Sequence, residues 1–196
     1  MGHAGMAAAA VRYLGPGAGQ VEPLPRPELR CVRDDERAPV DPAEFRRVLG
    51  NFATGVTVVT APAAEAGEPP AGFACQSFSS LSLDPPLVAF MVGRTSTTWP
   101  RIARAGVFCV NVLSAAQAGL CRAFAVSGAD KFAGVTYDTA PASGSPRLAG
   151  ALAWIDCAVH AVHTGGDHLI VVGRVNALGA ADEDAPPLLF HRGRFV

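Results

Sequence analysis

The stretch Ser77-Phe78-Ser79-Ser80-Leu81-Ser82-Leu83-Asp84-Pro85-Pro86 runs into the apolar segment Leu87–Val92, and then into Arg94-Thr95-Ser96-Thr97-Thr98. In an extended chain Ser80 and Ser82 share one face, so the first part reads as a strand with a hydroxyl-bearing rim. The two prolines end that strand and aim the next one. Leu87–Val92 is continuously apolar, the pattern of a buried strand. The segment after it places an arginine beside four hydroxyls where a loop enters a helix.

The same reading extends outward in both directions. Upstream, Asp41-Pro42-Ala43-Glu44 has the residue order of a helix start, with Phe45, Val48 and Leu49 as an apolar stripe and Gly50 as the stop. Gly55–Thr60 is β-branched and strand-like, and residues 61–72 form a loop that leads to a second strand near Phe73–Phe78. Downstream, Thr98–Ala105 reads as a short helix and Val107–Val112 as a strand. Ser114-Ala115-Ala116-Gln117 is a capping box that opens a helix to about Ala125. Leu152–His163 and His168–Asn176 are strands joined by Thr164-Gly165-Gly166-Asp167, and Leu188–Phe195 closes the sheet. Strands with short helices and no regular β-α-β alternation predict a mainly β fold, an antiparallel barrel with short capping helices. The folded domain covers residues 41–196. Residues 1–40, rich in Gly and Pro and without a helical or strand period, are expected to form a flexible arm.

Composition removes several functions. Of 196 residues, 49% are apolar and 17% charged, the balance of a globular chain with one core. Sixteen basic residues against seventeen acidic ones argue against a nucleic-acid binder. No apolar run is long enough to span a bilayer. The five cysteines are widely spaced with no C-x-x-C, so they read as small buried hydrophobes in a reducing cytoplasm. Lys131 is the only lysine and follows Asp130, so no phosphate-binding P-loop exists. Gly15–Gln20 lacks the last glycine or alanine of a dinucleotide fingerprint. His160 and His163 lie on opposite faces of one strand, and no metal site is expected.

What remains is an anion-binding chemistry. Backbone N–H groups and hydroxyls on the rim of Ser77–Ser82 can hold a phosphate or the polar edge of a flavin. The Arg94–Thr98 segment offers a positive charge, hydroxyl donors and a helix N-terminus. A phosphate monoester is nearly dianionic at neutral pH, so its donors must be shared among hydroxyls, N–H groups and one cation.

From Phe45 to Phe195 the chain resembles the flavin reductase family, whose fold is the FMN-binding split barrel. The resemblance is carried by Ala53–Thr60, by Ser77-Phe78 leading into Ser80-Leu81-Ser82-Leu83-Asp84-Pro85-Pro86, and by Arg94-Thr95-Ser96. It continues through Phe108–Leu113, Asp130-Lys131-Phe132, Gly166-Asp167-His168 and Phe190-His191-Arg192-Gly193, in the family's order. It implies a homodimer with the flavin at the subunit interface. It also implies hydride transfer from NADH or NADPH to FMN or FAD, with reduced flavin passing to a partner monooxygenase. Gln76, Ser77, Phe78, Ser79, Ser80 and Ser82 would meet the flavin ring edge and ribityl chain. Ser96 and Thr97, helped by Arg94, would take the phosphate, with Lys131 and Phe132 close by. His168 would stand near the nicotinamide or flavin as the catalytic-site residue, and His191 and Arg192 would lie where the last strand approaches the ring. Other roles stay open: an ion pair for Arg94, a turn contact to Asp167 for His168. Cys75-Gln76 stands where relatives carry a small residue followed by Asn, Ser or Thr. Two other functions also stay open, an FMN enzyme acting directly on a pathway intermediate and a non-catalytic flavin-binding module.

Overall fold

The β-branched run at Thr57–Ala61 forms a strand buried at every residue, and the main sheet is built around it. The computed structural model describes residues 40–65, 67–128, 130–182 and 184–196. The expected arm, apart from Val40, lies outside the described residues, as do Gly15–Gln20 and Cys31. In chain order the elements are α1 (Pro42–Leu49), β1 (Thr54–Gly55), β2 (Thr57–Ala61), β3 (Ala71–Cys75), β4 (Ser79–Leu83) and β5 (Pro86–Gly93). They continue with α2 (Trp99–Ala105), β6 (Val107–Val112), α3 (Ala118–Ala125), β7 (Tyr137–Thr139) and β8 (Pro146–Leu148). The last four are β9 (Ala153–Gly165), β10 (His168–Ala180), β11 (Leu189–His191) and β12 (Arg194–Phe195).

Seven strands form one antiparallel sheet in the order β3-β2-β6-β9-β10-β5-β4. Its two edge strands, β3 and β4, are consecutive in the chain and separated only by Gln76, Ser77 and Phe78. So short a link keeps Cys75 and Ser79 within about 14 Å, so the sheet must curl until its edges approach. The result is a barrel with one open seam. Ser77 holds that seam: its hydroxyl donates to Met91 O and accepts from Met91 N–H, both at 2.9 Å.

One core fills the curl. Phe90 and Phe108 are fully buried with ring centroids 5.2 Å apart, edge to face, and Trp99 of α2 packs on Phe90 at 6.2 Å. A second cluster of Val56, Val58, Leu113, Phe124, Leu148 and Leu188 lies under α3. Buried polar groups here are tied into the backbone. Asn111 Nδ2 donates to Val58 O and Thr60 Oγ1 at 3.2 Å, and its Oδ1 accepts Leu148 N–H at 2.8 Å. Leaving such buried groups unmade costs about 1–3 kcal/mol each, so Asn111 pins β8 to the sheet.

The Gly55–Thr60 run is not one strand. Thr54–Gly55 pairs with β11, Val56 lies between the two strands, and Thr57 onward joins the main sheet. The Leu188–Phe195 segment closes no large sheet: it folds into the β11–β12 hairpin and completes a three-stranded sheet with β1. Its two-residue turn, Arg192-Gly193, has φ of 50° and 80°. Those values match a turn whose twist follows that of the flanking strands. The stripe of α1 is also not core, because no residue of that helix is buried.

Candidate functional site

A cavity of about 720 Å³ opens where the chain crosses the seam at Gln76 and Ser77. Its apolar wall is Val56, Phe73, Phe124, Phe190 and Phe195. Its polar wall runs from Met91 at the end of β5 through Gly93, Thr95, Ser96, Thr97 and Thr98, and is completed by Lys131 and His168.

Each polar group is positioned by its own local structure. Ser96 Oγ accepts the Trp99 N–H at 3.2 Å, which fixes the start of α2 against the cavity. Arg94 N–H donates to Asp167 O at 3.0 Å, tying the β5 exit to the β9–β10 turn. His168 lies opposite Gly93 in the ladder, and its Nε2 stands over that glycine at the end of β5. His168 Nδ1 bonds Asp167 Oδ1 at 2.7 Å. The carboxylate can only accept, so Nδ1 carries the proton and Nε2 is the free ring nitrogen. The same bond, then the imidazole charge, holds the Asp167 carboxyl below its ordinary range. Lys131 Nζ donates to Gly72 O at 3.1 Å. Burial, then the charge of Arg101, pulls the Lys131 ammonium down. Cys75 and Cys121 also line the cavity, and burial pushes both thiols up, so neither is poised as a thiolate.

The cavity brings together Gln76, Ser77, Ser96, Thr97, Lys131 and His168 from the sequence-derived set. Phe132 lines a smaller adjoining cavity of about 330 Å³, which shares Thr97, Thr98 and Lys131 with the larger one. Phe78, Ser79, Ser80, Ser82, Arg94 and His191 line neither. Arg192 lines a separate cavity of about 600 Å³ beside α1, and its Nε donates to Asn51 Oδ1 at 2.8 Å. Residues that sequence reasoning does not single out include Gly93, Cys121 and Phe124, all of which line the larger cavity. The pairing of His168 with Gly93 is the signal for one of them, but it becomes visible only once the register is known.

These walls suit a flavin. Aromatic and aliphatic side chains share the cavity with hydroxyls and one lysine, a lining that suits a planar ring carrying a phosphate tail. Among the described residues that line the cavity, the backbone N–H groups of Gln76, Ser77, Thr95 and Thr97 donate no backbone hydrogen bond. Unspent donors beside an apolar slot fit the carbonyl edge of an isoalloxazine and a phosphate.

Residues 49–196 match the family described as flavin reductase like domain. The chain is 50% identical to the reductase subunit HsaB of a flavin-dependent monooxygenase from Rhodococcus jostii, over 80% of this chain and 78% of that protein. It is also 50% identical to a flavin reductase of Pseudomonas putida, over 81% of this chain and 91% of that one. Among solved structures, the NADH:FAD oxidoreductase SgcE6 of Streptomyces globisporus, in complex with NAD and FAD fragments, superposes with a TM-score of 0.73 at 39% identity. That match covers 82% of this chain and 96% of the other. With the curled seven-stranded sheet and the slot at its seam, these likenesses establish that the chain belongs to the flavin reductase family.

Proposed function

We propose that this chain is an NAD(P)H-dependent flavin reductase that reduces FMN or FAD and passes the reduced flavin to a separate monooxygenase. The observation that carries the reading is the slot at the seam, lined by Phe73, Phe124, Phe190 and Phe195 together with Ser96, Thr97, Lys131 and His168. A bound flavin supplies the hydride acceptor, so the chain itself needs no nucleophile. Its residues bind, orient and exclude water. Phe73, Phe124, Phe190 and Phe195 give the slot its apolar side. Gln76 and Ser77 offer polar groups to the ring edge, and Ser96, Thr97 and Lys131 receive the phosphate. His168, fixed by Asp167, presents Nε2 at the mouth, where it helps to hold the two rings at reacting distance.

The working unit in this reading is a homodimer in the cytoplasm. Phe45, Val48, Leu49 and Phe52 form an exposed apolar face on and beside α1, and Leu81 and Leu83 form another on the edge strand β4. Faces of this kind call for a partner surface. The four described cysteines are free and buried, in keeping with a reducing compartment. No described helix is long and apolar enough to cross a membrane.

The test is oxidation of NADH and of NADPH by the purified chain with and without added FMN or FAD. Flavin-dependent turnover is the expected result. Flavin binding without turnover would reassign the chain to a role that uses bound flavin otherwise, and an absence of flavin binding would remove the reading altogether.

A further inference from the structure

A mononucleotide leaves the smaller cavity unexplained. That cavity adjoins the larger one along Thr97, Thr98 and Lys131, and it is also lined by Arg101 of α2 and the Pro69-Pro70 turn. Arg101 Nη2 donates to Pro69 O at 2.5 Å and to Pro70 O at 3.4 Å. Lys131 is held the same way on Gly72 O. Two cations are therefore fixed on the carbonyls of one short segment, residues 69–72. Neither forms an ion pair with a carboxylate among the described residues. Asp130 shares this cavity, but its Oδ1 is engaged by the Phe132 N–H at 3.2 Å.

Burial, and then the charge of Arg101 nearby, makes the Lys131 ammonium costly. An anion placed between them offsets both. Pro69 and Pro70 have no N–H to offer, so Arg101 is the donor on that wall. FMN ends in one phosphate, and the shared wall of Thr97, Thr98 and Lys131 can receive it. Beyond that phosphate, a flavin dinucleotide carries a second phosphate and an adenosine. The geometry points to FAD as the preferred flavin, with its second phosphate on Arg101 and its adenosine in the smaller cavity. This rests on the larger cavity being the flavin site.

The experiment is calorimetric titration of the full chain with FMN and with FAD, for the parent and for Arg101→Gln. The parent is expected to bind FAD more tightly than FMN by roughly tenfold, the scale of one charge-assisted hydrogen bond. Arg101→Gln should lose most of that advantage and keep its FMN affinity. AMP gives a second measurement that needs no variant: it should displace FAD from the parent and leave FMN in place. Equal affinities in the parent, an equal loss of both flavins in the variant, or AMP displacing neither or both would overturn the assignment. An effect of the variant confined to NADH or NADPH would give the cavity to the nicotinamide nucleotide and overturn it equally. If the parent binds neither flavin, the flavin reading itself has failed, and that outcome is distinct from all the others.

Discussion

Lys131 carries more of the account than any other single residue. It lines both cavities and is the only lysine of the chain. Lys131→Met should weaken flavin binding by about 1.5–3 kcal/mol, the value of a hydrogen bond to a charged group, as read by fluorescence or calorimetric titration. Its pH dependence follows from the direction of its shift. The folded ammonium sits below the ordinary value of 10.5 because of burial and the nearby Arg101. As pH rises, the proton leaves Lys131 earlier than it leaves a free lysine, while the phosphate stays anionic. Flavin affinity should therefore fall on the alkaline side at a lower pH than an unperturbed lysine would give. A flat alkaline profile would show that Lys131 does not meet the phosphate. Sequence alone points first to Arg94, because it stands beside four hydroxyls. The folded chain presents Gly93 and Thr95 to the cavity and leaves Arg94 exposed outside it. Lys131 is 37 positions further on, and only the curl of the sheet brings it to the same wall. Neighbourhood along a chain reports neighbourhood in space only within one element.

At the scale of elements, strand content is largely legible in the sequence, and strand partnership is not. Leu87–Val92 shows itself by apolar continuity and Val107–Val112 by its valines and phenylalanine, and both fall within observed strands. The break at Val56 does not show, because a run of β-branched residues says nothing about which ladder each half will join. The long β9–β10 pair shows the same limit. It contains register shifts between Val172 and Gly173 and between Val175 and Ala177. At the first shift, a Cβ on Gly173 would overlap the Phe108 ring and stand 3.4 Å from Cys157 Cβ. Phe108 is fully buried and packed against Phe90, so it has nowhere to move. Gly173→Ala should therefore cost about 1–3 kcal/mol in denaturant unfolding, the usual penalty of overpacking. Phe108→Leu placed in the same chain should recover part of that loss. Additive losses in the double variant would mean that the two sites do not share the strain.

For the whole molecule, the apolar stripe of α1 is legible in the sequence and its environment is not. Phe45 is 55% exposed and Phe52 77% exposed, although the spacing alone reads as a helix facing its own core. The proposed homodimer gives that face a destination. Phe52→Asp together with Phe45→Asp should shift sedimentation at micromolar concentration toward the monomer, if this face is the interface. An unchanged dimer would move the interface elsewhere, to the β4 edge with Leu81 and Leu83. In the proposed function the slot at the seam holds a flavin and a nicotinamide ring in position for hydride transfer. The most direct measurement is anaerobic mixing of the chain, flavin and NADH deuterated at the transferred position of C4. The expected result is one flavin bleached per NADH consumed, a primary isotope effect on that step, and loss of the fast phase in Lys131→Met at subsaturating flavin. Flavin that binds but stays oxidised under these conditions would contradict it.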